Sequence, residues 1–348
     1  MKLEQWNVIK KCAKCEEISS IPIGFIIDSP WLPGFFNIST LDYFTDISKW
    51  VEVNMDVINE YPDIIFIPGF WVEYGMAVEP SGYGCLINFF ENKTPTVQHI
   101  ASNCKDASLL KIPDPTKDGL MPFALSIYKN IEKKVNDRGH KVKIVAARGP
   151  LTLASHLISV TNFLTDIKID PENAHKLLKK TTQTVKNWLE AQANVLQEVE
   201  GILVLDDIVG FLSKEDYLEF AHPYLKEIFT SFQNNIIKIY HNDANNSVYY
   251  DCLEELGVNI FNFTHLINIE KAKKLVGEKV CLMGNIPPLD TLVNGTEEQV
   301  IKDVTDCLNN YPDNRGLLLS AGGGASPGTK KENIVALVNA VKNYNNFK

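Results

Sequence analysis

The chain has 348 residues, a formal net charge of −9 and 45% hydrophobic residues, the composition of an ordinary globular protein with an ample core. The excess of acidic residues argues against a nucleic-acid partner, because such a partner requires a clustered basic face. No run of about 18 apolar residues occurs, so we expect no membrane span and no membrane partner. Residues 1–20 are polar, helical in pattern and without the apolar centre of a secretory signal, so we expect a cytoplasmic protein.

Short apolar runs rich in β-branched residues recur along the chain, each ending in polar or glycine residues. They are Ile21–Asp28, Ile64–Phe70, Val142–Arg148, Ile202–Asp207, Ile236–His241, Val258–Asn262, Lys279–Gly284 and Gly316–Ser320. Such uniformly apolar runs are typical of parallel strands that are buried on both faces. Helical patterns separate them; Asp170-Pro171, for example, starts a long helix with proline at its first position. Eight strand–helix units predict a (β/α)8 TIM barrel.

The barrel is predicted to be a single domain over residues 1–348, with an N-terminal helical extension and a long insertion after the second strand. The insertion, residues 75–141, is too long for one crossover and is predicted to wall the active site. An open doubly wound sheet is the alternative architecture. It would need a glycine-rich phosphate turn after the first strand, where residues 28–33 read DSPWLP.

Polar side chains at the ends of the predicted strands are the candidates for chemistry. In a TIM barrel the C-terminal strand ends and the loops after them build the active site. The residues in these places are Asp28, Glu73, Arg148, Asp206, Asp207, His241, Asp243, His265, Asn285 and the glycines 322–324. These residues are candidates because of their position at the strand ends, and the position alone does not indicate which reaction they catalyse.

His241 and Asp243 form the most suggestive pair. Alternate residues at a strand end can point into one cavity, where an imidazole and a carboxylate could form half of a metal site. A structural hydrogen bond between them is the alternative. Asp206 and Asp207 follow the preceding strand: one must face the lumen and the other the helix layer. Either could instead cap a helix or pair with Arg148.

Glu73 and His156 each allow two interpretations. Glu73 follows Trp71 and could lie over the barrel mouth, or it could be a solvated loop acid. His156 comes early in a helix after Gly149-Pro150, where it could reach the cavity or be a core histidine with satisfied hydrogen bonds.

Short motifs in the right order connect the sequence to a known family. They are residues 149–153 (GPLTL), 207–210 (DIVG), 240–243 (YHND), 282–286 (LMGNI), 294–296 (NGT) and 320–327 (SAGGGASP). On these motifs the chain resembles the uroporphyrinogen decarboxylase superfamily over nearly its whole length. The resemblance implies a (β/α)8 barrel, in agreement with the strand count.

The chain departs from the true decarboxylases of that superfamily, which need no cofactor. Those enzymes hold a porphyrinogen with arginines near the first strand and an aspartate after the second. Here residues 26–33 read IIDSPWLP and residues 66–70 read FIPGF, without these groups. His156 stands where a tyrosine is expected, and Gly323 where a histidine is expected. A metal-free decarboxylase or other lyase is therefore an alternative and not the main hypothesis.

Corrinoid-dependent methyltransferases form the other branch, and the chain resembles their coenzyme M type in Glu73, in residues 206–213 (DDIVGFLS) and in the C-terminal layout. That type binds zinc through His-x-Cys and a cysteine of the last loop, which correspond here to His241, Asp243 and Gly323. The resemblance thus implies an oxygen-rich ligand set and a harder, more Lewis-acidic ion. Such an ion is suited to polarising a methoxy oxygen.

The main hypothesis is a methyltransferase of an O-demethylase type. It would move a methyl group from a small, for example methoxylated, donor to the cobalt of a corrinoid carried by a partner protein. A methylcorrinoid:thiol methyltransferase of the coenzyme M type is the alternative. Under the main hypothesis the resemblance implies zinc at His241 and Asp243, with Glu73 or Asp207 as a further ligand. The catalytic group would be His156, Arg148 and Asp207, and the donor would contact Asp28, Trp71, Asn285 and Gly323.

Overall fold

A computed structural model of the chain describes residues 1–311 and 315–347. Its strands are β1 Ile23–Ile26, β2 Ile64–Ile67, β3 Ile87–Asn88, β4 Thr96–Val97, β5 Ile144–Arg148, β6 Gly201–Leu205, β7 Ile237–Asn242, β8 Ile260–Phe263, β9 Cys281–Ile286 and β10 Leu317–Ala321. Each of the apolar runs noted in the sequence overlaps one strand of the main sheet. The run Ile64–Phe70 ends early as a strand, because Pro68 has no amide hydrogen and Gly69 adopts a φ of 72°.

The main sheet has eight parallel strands in the order β2-β1-β10-β9-β8-β7-β6-β5. Consecutive strands of the chain are neighbours, and the sheet curls into a barrel that is closed by backbone hydrogen bonds everywhere except between β2 and β5. The predicted (β/α)8 fold is confirmed. Because all strands run the same way, their C-terminal ends meet at one rim.

Helices surround the sheet and cover its outer face. They are α1 Leu3–Ala13, α2 Leu32–Phe35, α3 Thr40–Thr45, α4 Ile47–Glu60, α5 Val78–Gly82, α6 Cys104–Ala107, α7 Met121–Asn136, α8 Pro150–Ile158, α9 Val160–Ile169, α10 Pro171–Val195, α11 Lys214–Asp216, α12 His222–Ser231, α13 Ile269–Val276, α14 Glu297–Asn309 and α15 Lys331–Phe347. Short 3-10 turns (Asp207–Phe211, Tyr250–Cys252) and π turns (Tyr217–Ala221, Pro288–Val293) complete the set. Asp170 caps α10 as its sequence predicts. Across the described part of the chain, none of the helices has the length and apolar character needed to span a membrane.

Two apolar cores hold the barrel together. One lies between the sheet and the helices, and the other fills the lumen with Ile65, Ile67, Ile144, Leu203 and other inward-facing strand residues. The N-terminal helix α1 packs its buried Trp6 and Ile9 against the lumen core. The lumen is therefore filled by packed side chains, which close the barrel beneath its C-terminal rim.

The segment between β2 and β5 contains several elements. It includes α5, an antiparallel hairpin of β3 and β4, α6, and finally α7, which contacts α4 and α10 in the helix layer. Gly75, Met76 and Thr94 from this segment reach the rim of the barrel, where they line a cavity.

Candidate active site

A cavity of about 220 Å³ lies at the C-terminal rim of the barrel. Ile26 and Leu205, at the ends of β1 and β6, are its apolar contacts with the lumen core. Arg148 and His241, near the ends of β5 and β7, also line it. The other lining residues follow the strands: Asp28, Pro30, Gly75, Met76, Thr94, Asp207, Asp243, Pro288, Gly324, Ala325, Ser326 and Pro327. Five predicted site residues thus line one cavity: Asp28, Arg148, Asp207, His241 and Asp243.

Asp207, His241 and Asp243 form a cluster in this cavity that could hold a metal ion. One ligand atom from each lies within 4.8 Å of the others. His241 Nε2 is 3.5 Å from Asp207 Oδ1, and the same oxygen accepts a 3.3 Å hydrogen bond from the backbone N–H of Asp243. Partial burial and the neighbouring Asp207 charge raise the pKa of the Asp243 carboxyl, while His241 opposes that rise. A divalent cation would relieve this repulsion between carboxylates.

Asn262 fixes the state of the His241 ring, and sequence reasoning did not assign it a role. Its amide nitrogen donates to the carbonyls of Met283 (2.9 Å) and Ala321 (3.2 Å). The amide oxygen must therefore accept the 2.6 Å hydrogen bond from His241 Nδ1, which places the proton on Nδ1. In this tautomer Nε2 is the ring nitrogen available to a metal, the arrangement that metal-binding histidines require. The signal was present, since Asn262 is the polar end of a predicted strand and pairs in register with His241.

The adjacent carboxylates Asp206 and Asp207 have opposite roles. Asp206 is fully buried and accepts hydrogen bonds from Leu151 N (3.0 Å), Thr152 N (2.8 Å) and Thr152 Oγ1 (2.7 Å), so it anchors the start of α8. Burial raises its pKa to about 7 against these donors. Asp207 faces the cavity, which decides between the two orientations that the sequence left open.

Glu73 lies in a second group with Asp28 and Arg148, outside the Asp207–His241–Asp243 cluster. Its Oε1 accepts a 2.8 Å hydrogen bond from Ser29 N, and its Oε2 is 3.9 Å from Arg148 Nη2. The sequence hypothesis named Glu73 or Asp207 as the further metal ligand, and Asp207 is the one beside His241 and Asp243. The buried loop after β2 holds Glu73 at the Arg148 side instead.

Arg148 is buried and held in place by several contacts. Its guanidinium lies 5.0 Å from the centre of the Trp71 ring, and Nη2 donates to the Gly75 carbonyl at 3.4 Å. Its backbone N–H donates to Glu79 Oε1 at 2.8 Å. Trp71 thus supports Arg148 from the lumen core, and Arg148 is the residue of the two that lines the cavity.

His156 and Asn285 do not line the cavity. The half-buried His156 ring has a pKa lowered to about 4 by burial and by Arg148, so it is neutral, and its Nε2 finds no partner among the described residues. Asn285 donates its amide hydrogens to the carbonyls of Thr264 (3.3 Å) and Ile267 (2.7 Å). Those bonds give Asn285 a structural role in the loop after β8, in place of the predicted contact with the donor.

Gly323 lies beside Asp243 with a φ of 126°, a conformation that favours glycine. A Cβ at this position would be 2.6 Å from Asp243 Oδ2. The Asp243 carboxylate therefore occupies the space next to position 323, so the last loop contributes room for the cluster and no side chain.

We expect Gly323→Ala to displace Asp243 and to weaken divalent-cation binding by about 10- to 100-fold, the usual effect of disturbing groups around a metal. Titration of the metal-depleted protein with zinc, followed by calorimetry, measures this change. Gly324→Ala is the matched control, because a Cβ there meets its nearest atom only at 3.7 Å. Equal affinities for both variants and the wild type would show that Asp243 does not contribute to the site.

Comparisons with a family model and with curated proteins agree on the family of this chain. The family model described as uroporphyrinogen decarboxylase matches residues 35–344. The uroporphyrinogen decarboxylase of Wigglesworthia glossinidia brevipalpis is 25% identical over 303 residues, covering 84% of this chain and 78% of that protein. That of Pseudomonas putida strain KT2440 is 26% identical over 273 residues, covering 75% of each. The solved structure of a methyltransferase from Methanosarcina mazei has the same fold, with a TM-score of 0.82, 20% identity and 97% coverage of both chains. Since the matched segment includes nearly all of the barrel and both groups of cavity residues except Asp28, the chain belongs to the uroporphyrinogen decarboxylase family.

Proposed function

We propose that this protein transfers a methyl group from a small donor to the cobalt of a corrinoid carried by a partner protein. The observation that carries the proposal is the Asp207–His241–Asp243 cluster in a small cavity, with His241 Nδ1 bonded to Asn262 and Nε2 near the Asp207 carboxylate. The methyltransferase from Methanosarcina mazei, which shares the fold, is consistent with this function.

A divalent cation, with zinc as the first choice, fits the residues of the cluster. One neutral imidazole nitrogen and two carboxylates are a donor set that zinc accepts, and Asn262 supplies the supporting hydrogen bond. When bound, the ion would act as a Lewis acid on the heteroatom that carries the methyl group. Among the described residues no cysteine lines the cavity, so the site lacks the soft ligands that favour activation of a substrate thiol. This disfavours the coenzyme M type of reaction.

Decarboxylation of a porphyrinogen is the second candidate, because the curated relatives carry that name. The cavity volume of about 220 Å³ is below the range of roughly 300–1,000 Å³ that drug-sized ligands occupy. Its wall presents three aspartates and one arginine, so a polycarboxylate macrocycle would meet mainly like charges. Size and charge therefore both favour a small donor that is not an anion.

The acceptor has to approach from outside, because the cavity cannot contain a donor and a corrinoid macrocycle together. Large apolar side chains are exposed in loops that follow the strand C-termini, notably Phe211 (65% exposed), Leu266 (57%) and Leu289 (55%). Exposed apolar side chains at this end of the barrel are suited to contact with another protein. The proposal assigns that position to the corrinoid carrier.

The test is methyl transfer to free cob(I)alamin, followed by absorbance, with methanol and methoxybenzene as donors and with the metal content measured in parallel. We expect about one equivalent of zinc per chain and formation of methylcobalamin that stops when a chelator removes the metal and resumes when zinc is restored. Metal-free protein with full activity would remove the Lewis acid from the proposal. Decarboxylation of uroporphyrinogen without methyl transfer would support the second candidate.

A further inference from the structure

Two carboxyl groups, Asp28 and Glu73, lie near the guanidinium of Arg148, outside the Asp207–His241–Asp243 cluster. Asp28 follows β1 and lines the cavity, and Glu73 is buried in the loop after β2. Arg148, at the end of β5, is the cation beside them. Three neighbouring barrel strands or their loops thus bring two acids and one base together next to the space for the donor.

The contacts of Glu73 are those of a carboxyl group that carries a proton part of the time. Its Oε1 has a good hydrogen bond from Ser29 N, but Oε2 is buried and lacks a hydrogen-bond partner within residues 1–311 and 315–347. The 3.9 Å separation from Arg148 Nη2 is too long for a hydrogen bond. A permanently ionised Glu73 with such an uncompensated oxygen would be costly. A proton on Glu73 removes that charge, and a proton on Asp28 removes the repulsion between the two carboxylates.

Electrostatics point the same way. Burial raises the pKa of Asp28 to about 6, while Arg148 and His241 oppose the rise. Burial and the Asp28 charge raise the pKa of Glu73 to about 7, again against Arg148. The other titratable groups that face the pair are the hydroxyls of Tyr43 and Tyr128, which burial keeps neutral. Near neutral pH one proton is therefore present on the pair, as expected for two acids beside one cation.

We propose that Asp28 and Glu73 hold one proton between them and that Asp28 delivers it to the leaving group of the methyl donor. Asp28 is the catalytic residue, because its carboxyl lines the cavity. Glu73 is a positioning residue that keeps the proton on the pair, and Arg148 stabilises the carboxylate left behind. This inference rests on the proposed methyl transfer.

The step balances without a further reactant. The electron pair of cobalt(I) in the corrinoid substrate forms the cobalt–carbon bond as the bond between carbon and heteroatom breaks. That bond's electrons go to the heteroatom, which takes the Asp28 proton and leaves as a neutral alcohol from a methyl ether, or as water from methanol. Asp28 ends as a carboxylate next to Arg148 and is reprotonated from solvent before the next turnover.

A proton donor matters most when the leaving group is strongly basic, since an alkoxide or amide ion leaves poorly and a stabilised phenolate leaves well. The proposal therefore assigns the site small, uncharged donors with basic leaving groups, such as an aliphatic methyl ether or methanol. The cavity volume and the carboxylate-rich wall agree with this class.

The test compares Asp28→Asn and Glu73→Gln with the wild type, using methanol and 4-nitroanisole as donors and cob(I)alamin as acceptor. With methanol, we expect Asp28→Asn to lower kcat/KM by about 100-fold or more. With 4-nitroanisole, whose phenolate leaves unaided, the loss should be far smaller. For Glu73→Gln we expect the fall of rate with rising pH, near pH 6 to 7 in the wild type, to move to lower pH. The reason is that Arg148 then ionises Asp28 without opposition from a second carboxylate.

Asp63→Asn, on the far side of the barrel where Asp63 pairs with Lys342, is the control for loss of a carboxylate. Equal losses for both donors would overturn the proton-donor role while leaving methyl transfer intact. Infrared titration without substrate gives an independent readout. Because Asp206 also titrates near pH 7, the readout is the difference between wild type and variant. A protonated-carboxyl signal between pH 5 and 8 that is larger in the wild type than in Asp28→Asn and in Glu73→Gln supports the shared proton. Equal signals in the wild type and both variants overturn it, whatever the result for methyl transfer.

Discussion

His241→Ala is expected to release the bound divalent cation and to lower methyl transfer on the order of 10³-fold. The imidazole is the only nitrogen ligand in the Asp207–His241–Asp243 cluster as the described residues present it. A Lewis acid contributes several kcal/mol of transition-state stabilisation, and about 1.4 kcal/mol corresponds to a factor of ten in rate. Metal content by elemental analysis and kcat/KM with methanol are the two measurements.

Asn262→Leu provides a graded version of the same experiment. The leucine cannot accept the Nδ1–H bond, so the His241 ring is free to rotate and change tautomer, and we expect metal affinity to fall about 10- to 100-fold. His99→Ala, at an exposed ring on the surface, serves as the control for loss of a histidine. Retention of a full equivalent of metal by His241→Ala would place the ion elsewhere and contradict the assignment.

The neighbouring substitutions Asp206→Asn and Asp207→Asn are expected to have opposite effects. Position 206 is fully buried, and the NH2 group of an asparagine there would face the N–H of Leu151 or of Thr152. Two hydrogen-bond donors would then meet, and neither would have an acceptor. Leaving buried donors unsatisfied costs about 1–3 kcal/mol each, so we expect the free energy of unfolding to fall by about 2–4 kcal/mol. Asp207 is 40% exposed, and its replacement should leave stability within about 0.5 kcal/mol.

Urea unfolding and metal content, measured on both variants, separate the two roles. We expect Asp206→Asn to be less stable but to bind metal at low temperature, whereas Asp207→Asn should be stable and bind metal weakly. The two variants change the same functional group at adjacent positions, so each is the control for the other. If both lost stability equally, the assignment of Asp206 to the α8 anchor and Asp207 to the cavity would fail.

The barrel could be predicted from the sequence because parallel strands buried on both faces leave an unambiguous apolar signature. The polar residues at the strand ends could be predicted for the same reason, since closure of the sheet brings those ends to one rim. The sequence could not decide between Asp206 and Asp207, because both follow the last strand residue and the loop conformation sets their directions. Asn285 was assigned to the cavity by its position, but two loop carbonyls bind its amide.

The predicted metal ligands show more clearly that the sequence does not determine how loops place their side chains. Glu73 and Asp207 were equivalent candidates in the sequence, and the buried path of the chain after β2 separates them in space. Asn262 was overlooked because its role depends on a neighbour in register on another strand, a relation that no local pattern contains. The strand-end position and the family resemblance both indicated His241 and Asp243, whereas the close approach of Asp243 to Gly323 depends on the loop conformation.

The barrel wall can deform most easily at the seam between β2 and β5, where no backbone hydrogen bonds pair the two strands. Side chains supply the hydrogen bonds there that a neighbouring strand would otherwise supply: Glu79 accepts from Arg148 N, and Gln192 donates to the Ala146 carbonyl at 3.0 Å. The two margins of the sheet can therefore shift relative to each other without breaking a single strand pairing. Arg148 stands on one margin, and Glu73 and Trp71 follow from the other. If Asp28 loses its proton during turnover, the stronger attraction to Arg148 would act across this seam, where no strand pairing joins the two margins.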